Sequence, residues 1–115
     1  MKTVKTIYSK QEDCKISIIV TDDIVLEGKK LFKKHKETME GEQNMKGFVI
    51  SFDVDHYYIL FNLNYIKNEK AKYHEVFHLM EWISRDRAVV DEEAKALLIG
   101  YLGEEVSKFL STINK

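Results

Sequence analysis

The chain has 115 residues, 44% hydrophobic and 32% charged, which suits a single domain around one modest core. Its 18 Lys and Arg against 19 Asp and Glu leave a formal net charge of −1, so no global field points to nucleic acid or to an anionic membrane. The lone cysteine, Cys14, excludes an intrachain disulfide and favours a reducing, cytoplasmic setting. The longest apolar run near the start, Ile16 to Val20, is interrupted by Ser17 and is far too short to span a bilayer.

Thr3 to Ser9 alternates weakly through Val4, Thr6 and Tyr8 and reads as a short strand, followed by a polar turn at Gln11-Glu12-Asp13. Lys15 to Thr21 carries the β-branched Ile16, Ile18, Ile19 and Val20 and reads as a second strand. Asp22-Asp23 offers an N-cap for a helix from about Ile24 to Lys36, with Ile24, Val25, Leu31 and Phe32 on its inner face. Lys29, Lys30, Lys33, Lys34 and Lys36 read as its solvated face. Glu37 to Lys46 is polar and reads as a loop. Gly47 to Phe52 and His56 to Leu63 form a hairpin about Asp53-Val54-Asp55.

After a polar connection from Asn64 to Lys70, a helix is predicted from about Glu69 to Asp86. Asp91 then caps a final helix to about Ile113. Its stripe is Ala94, Leu97, Leu98, Tyr101, Leu102, Val106, Phe109 and Leu110, at helical spacing. Strands and a helix followed by two consecutive helices predict an α+β domain, with a small antiparallel sheet and a two-helix unit.

The first of those two helices contains Tyr73-His74-Glu75-Val76-Phe77-His78, a His-Glu-x-x-His motif. Residues four apart on a helix lie one above the other, so His74 and His78 present two imidazoles to one point. Glu75 stands about a quarter-turn round, where a carboxylate reaches a metal-held water. A catalytic zinc takes three protein ligands and keeps one open position, so a third ligand is required. Glu81 at the glycine position and Ser84 at the final histidine position exclude the extended His-Glu-x-x-His-x-x-Gly-x-x-His pattern. A glutamate from the next helix is the other solution. Asp91-Glu92-Glu93 opens that helix, and helical phase leaves Glu92 and Glu93 equivalent. Glu81, one turn past His78, reads as a contact to a ligand or an ion pair with Arg85. Tyr101 is a core aromatic within reach of an oxyanion role, and His35, His56 and Cys14 read as bystanders.

The stretch from Tyr73 to Gly100 resembles the metallopeptidases that combine His-Glu-x-x-His with a downstream glutamate, the gluzincins in the broad sense. Within them it is most similar to small ImmA/IrrE-like proteins and short phage-encoded proteins. Their second helix carries a glutamate, a small residue and an apolar run, matched here by Glu93-Ala94 and Ala96-Leu97-Leu98. The resemblance covers about the last third of the chain and departs from the larger members in length and at Met80-Glu81-Trp82. It implies a minimal zincin-like domain over residues 1–115, with zinc on His74, His78 and Glu93 and with Glu75 as general base. It also implies a peptide or protein substrate, paired along an edge strand for which His56 to Leu63 is the candidate. The other reading of the same residues is a non-catalytic binding or structural protein on that scaffold, of phage derivation.

Overall fold

The computed structural model describes residues 1–35 and 46–113, so most of the loop expected from Glu37 to Lys46 lies outside the described residues. The elements are β1 (Lys2–Ser9), β2 (Cys14–Thr21), α1 (Ile24–Lys34), β3 (Gly47–Asp53), β4 (His56–Asn62), a 3₁₀ turn at Leu63–Tyr65, α2 (Glu69–Asp86) and α3 (Glu92–Ser111). The α+β class is thus as expected. The four strands form one sheet in the order β1-β2-β4-β3.

The sheet is mixed, where an antiparallel one was expected. β1 with β2 and β3 with β4 are antiparallel hairpins, but β2 and β4 run parallel, Lys15 opposite His56 through Thr21 opposite Asn62. The chain between them includes α1, which supplies the long connection that parallel neighbours need. This arrangement makes β4 an interior strand. The expectation that His56 to Leu63 forms a substrate-pairing edge is therefore corrected: β3 is the edge. The physical reason is the apolar run from Tyr57 to Phe61, every residue of which is buried, as befits a strand covered on both faces.

Two layers of core follow from the strand alternation. Ile16, Ile18 and Val20 of β2 and Tyr57, Ile59 and Phe61 of β4 face α2 and α3. Ile19, Tyr58 and Leu60 face the other way and pack with Phe48, Ile24 and Leu31 under α1. From α2 come Val76, Leu79, Met80 and Ile83; from α3 come Leu98, Leu102, Val106, Phe109 and Leu110. The expected α3 stripe is too wide by one member, since Leu97 is 61% exposed. It sits about 100° round the helix from Leu98, past the edge of the contact with α2.

Helix ends are set by short polar side chains. Asp23, Asn68 and Asp91 each accept from a backbone N–H three residues on, at 3.1, 3.0 and 3.0 Å. Beyond α2, Val89 N–H donates to Ser84 C=O at 2.8 Å and Ala88 N–H to Arg85 C=O at 3.3 Å, with Ala88 at φ 54°. This is a Schellman closure with alanine where glycine is usual. Arg87 then donates to the carbonyls of Glu12 and Asp13 at 2.7 and 3.0 Å, tying the α2–α3 link to the β1–β2 turn. Among the described residues, no helix is long and apolar enough to cross a membrane.

Candidate active site

α2 turns Val76, Leu79, Met80 and Ile83 into the core, and the same periodicity dictates what the rest of the helix presents. At about 100° per residue, His74, His78, Glu81 and Arg85 share an outward arc, while Glu75 and Trp82 lie toward β3. His74 and His78 are both exposed, and their Nε2 atoms stand 3.1 Å apart with the rings crossed at 87°. Two nitrogens bound to one tetrahedral zinc at about 2.0–2.1 Å are about 3.3 Å apart. The pair is thus spaced as two adjacent ligands of one metal.

Glu75 is 4% exposed. Burial holds its carboxyl above the usual carboxylate range, and the neighbouring His74 and His78 oppose that rise. Gly47 is what lets β3 come down onto this residue. A Cβ at Gly47 would lie 2.7 Å from the Leu60 carbonyl oxygen and 3.1 Å from Glu75 Cγ. Reading Gly47 merely as the start of a strand missed this role, because the close approach is a property of two elements distant in sequence.

Between β3 and α2 lies an open cleft of about 400 Å³. One wall is Gly47, Phe48 and Val49 of the edge strand. The other is His74, Glu75, His78, Glu81, Trp82 and Arg85. A smaller cavity of about 210 Å³ at the start of α2 shares His74 and Glu75, so hollows flank the motif on both sides. Trp82 was also missed, although its place one turn beyond His78 on the β3 side follows from helical phase. Arg85 stands over the Trp82 ring, 5.6 Å from its centroid, and Glu81 pairs instead with Lys95 of α3 at 3.9 Å. The expected Glu81–Arg85 ion pair is therefore replaced by one between helices.

The other expected site residues lie elsewhere. Glu92 and Glu93 are exposed in the first turn of α3, and neither lines the cleft. The antiparallel register explains this. Lys95 meets Glu81, and a Cβ at Gly103 would lie 3.6 Å from the Tyr73 ring, which sets Glu93 roughly level with Ile83. That is five residues past His78, about 7 Å along the axis. Leu98, buried in the core, occupies the level of His78. Among the described residues, no group of three or more His, Cys, Asp or Glu side chains is gathered so as to hold a metal. The histidine pair thus fits two positions of a zinc site, and the downstream glutamates are not brought to it. Tyr101 donates its hydroxyl to the Tyr8 carbonyl at 3.4 Å, away from the cleft.

His35 and His56 are half-buried rather than exposed. His56 Nε2 is 2.7 Å from Ser17 Oγ, and His35 stacks on Phe52 at 4.3 Å. Cys14 is a core residue, 1% exposed, as expected. Comparison of the chain with protein-family models, with curated proteins and with solved structures returned no match.

Proposed function

We propose that the protein is a minimal zinc-dependent hydrolase of the peptidase type, working in the cleft between α2 and β3. The observation that carries this reading is the convergence of His74 and His78 at 3.1 Å on the wall of a cleft into which Glu75 also opens. His74 and His78 would hold the zinc. When bound, that ion supplies Lewis-acid polarisation of a carbonyl and acidification of water.

The chain's own contributions follow from their placement. Glu75 takes a proton from the attacking water on its carboxylate and returns it to the leaving amine. Its burial beneath Gly47 restricts the carboxylate to the cleft side of the helix. The outer edge of β3 pairs with no other strand among the described residues, so its N–H and C=O groups are placed to bind an extended peptide backbone. Val49 and Trp82, partly buried on the α2 side of the sheet, offer apolar surface to substrate side chains. The single buried thiol of Cys14 is in keeping with a cytoplasmic setting.

Metal analysis of protein purified without chelator tests the reading. About one equivalent of zinc, lost in a His74→Ala, His78→Ala double variant that stays folded, is the expected result. Zinc below a tenth of an equivalent, unchanged on adding metal, would leave the non-catalytic binding protein as the account of this scaffold.

A further inference from the structure

The cavity of about 210 Å³ at the start of α2 adjoins the cleft at His74 and Glu75, and its other lining residues are Lys46, Asn68, Lys70 and Ala71. Its charge differs from that of the cleft, where Glu81 and Arg85 offset each other. Here two ammonium groups meet one carboxylate, that of Glu75.

Both lysines are placed by the fold. Lys46 immediately precedes the edge strand β3. Its carbonyl accepts the Asn62 N–H at 3.0 Å, and its ammonium stands over the Tyr65 ring, 5.6 Å from the centroid. Lys70 lies one helical turn before His74 on the same face of α2. Among the described residues Lys70 forms no ion pair; the neighbouring Glu69 pairs with Lys72 instead, at 2.7 Å.

The edge of β3 gives a direction. A peptide antiparallel to β3, the slightly more stable pairing, runs from the level of Val49 toward that of Lys46. It therefore carries its C-terminal side into this cavity. Lys70 is about 6 Å before His74 along the helix, and each peptide residue spans about 3.3–3.6 Å. A group one or two residues past a carbonyl held at the histidines is thus brought between the two ammonium groups. The volume is below the roughly 300–1,000 Å³ of a ligand-sized pocket, so it suits one residue rather than a length of chain.

We propose that this cavity is a carboxylate subsite, in which Lys46 and Lys70 bind the C-terminal carboxylate of a peptide or an acidic side chain at the same place. The occupant's role as substrate rests on the hydrolase reading above; its charge and position do not.

Fluorescence anisotropy with N-terminally labelled tetrapeptides tests this on the full chain stripped of metal, so that no probe is consumed. One probe ends in a free carboxylate, a second in the carboxamide of the same residue, and a third in a glutamate carboxamide. The free acid or the glutamate probe is expected to bind about threefold to thirtyfold more tightly than the neutral amide, as for two exposed charge contacts. A lead by the free acid assigns a chain end, and a lead by the glutamate amide assigns an internal acid. The lead should shrink with added salt and vanish in a Lys46→Gln, Lys70→Gln double variant. A Lys33→Gln, Lys34→Gln double variant makes the same change in net charge at exposed positions of α1 and should keep the lead. Equal binding of all probes, a lead that survives the cavity variant or is lost equally in the α1 variant, or no binding at all overturns the subsite. Zinc uptake and peptide cleavage by the metal-loaded chain are read in parallel. A carboxylate lead with neither of these keeps the subsite and removes the hydrolase reading. Cleavage indifferent to the carboxylate, with equal probe binding, keeps that reading and removes the subsite.

Discussion

Gly47→Ala asks whether β3 is seated on the motif helix as closely as the contacts around Gly47 require. The added Cβ would meet the Leu60 carbonyl oxygen at 2.7 Å, closer than real Cβ atoms come to their neighbours, and Glu75 Cγ at 3.1 Å. The first neighbour is backbone of an interior strand, so relief requires the edge strand to lift. Overpacking of this kind costs about 1–3 kcal/mol. For a domain of this size each kcal/mol moves Tm by about 4 °C, so a fall of roughly 4–12 °C is expected. Gly100→Ala is the internal control. Gly100 lies mid-helix in α3, and a Cβ there would meet nothing within 4 Å. Replacing an open mid-helix glycine by alanine stabilises by about 0.5–1 kcal/mol. Urea unfolding of both variants, read as midpoint and slope, gives the comparison, and opposite signs are expected for one chemical change. A Gly47→Ala protein as stable as wild type would refute the close seating, and with it the placement of Glu75 beneath the strand.

Further expectations follow from single features. Leu102→Ala removes a fully buried side chain and should cost about 2–5 kcal/mol, whereas Leu97→Ala, 61% exposed, should stay within about 0.5 kcal/mol of wild type. Equal losses in urea unfolding would show that α3 is rotated from its described face. Ala88→Gly should stabilise by about 1 kcal/mol, because Ala88 holds φ 54° at the Schellman closure of α2; no gain in thermal melts would argue against that helix end. Burial pushes the His56 imidazole below its ordinary 6.5, against the opposing charge of Asp53. The unfolded chain then binds the proton more readily, so stability falls as pH drops through about 6.5 and levels off below the folded value. His56→Gln should flatten that limb of the stability–pH curve, and an unchanged limb would assign it to another group.

How much was legible in advance depends on whether the cause is local. The caps at Asp23 and Asp91, the β-branched run of β2 and the two-faced apolar run of β4 are local, and the elements appear where they were expected. The histidine spacing is local too, and its consequence, two convergent imidazoles, is present. The pairing of β2 with β4 was not legible, since it depends on chain segments far apart in sequence. From that one pairing follow the mixed sheet, the interior place of β4 and the edge role of β3. The level of Glu93 was hidden for a similar reason. Both helix limits, Asp86 and the cap at Asp91, were expected, but the level follows from the register of α3 against α2, with Lys95 meeting Glu81 and Gly103 beside Tyr73. Gly47 needed the contact between β3 and Glu75 to be seen at all.

The central claim is that Glu75 moves the proton in a site held by His74 and His78. Peptide-bond cleavage by the zinc-loaded protein, compared with Glu75→Gln at equal zinc content, tests it most directly. The account predicts that the variant keeps its zinc and its fold and loses turnover by about 10²–10⁴-fold, the usual contribution of a positioned acid–base group. Turnover equal to wild type, or absent from both proteins across a diverse peptide pool with zinc in place, would contradict it.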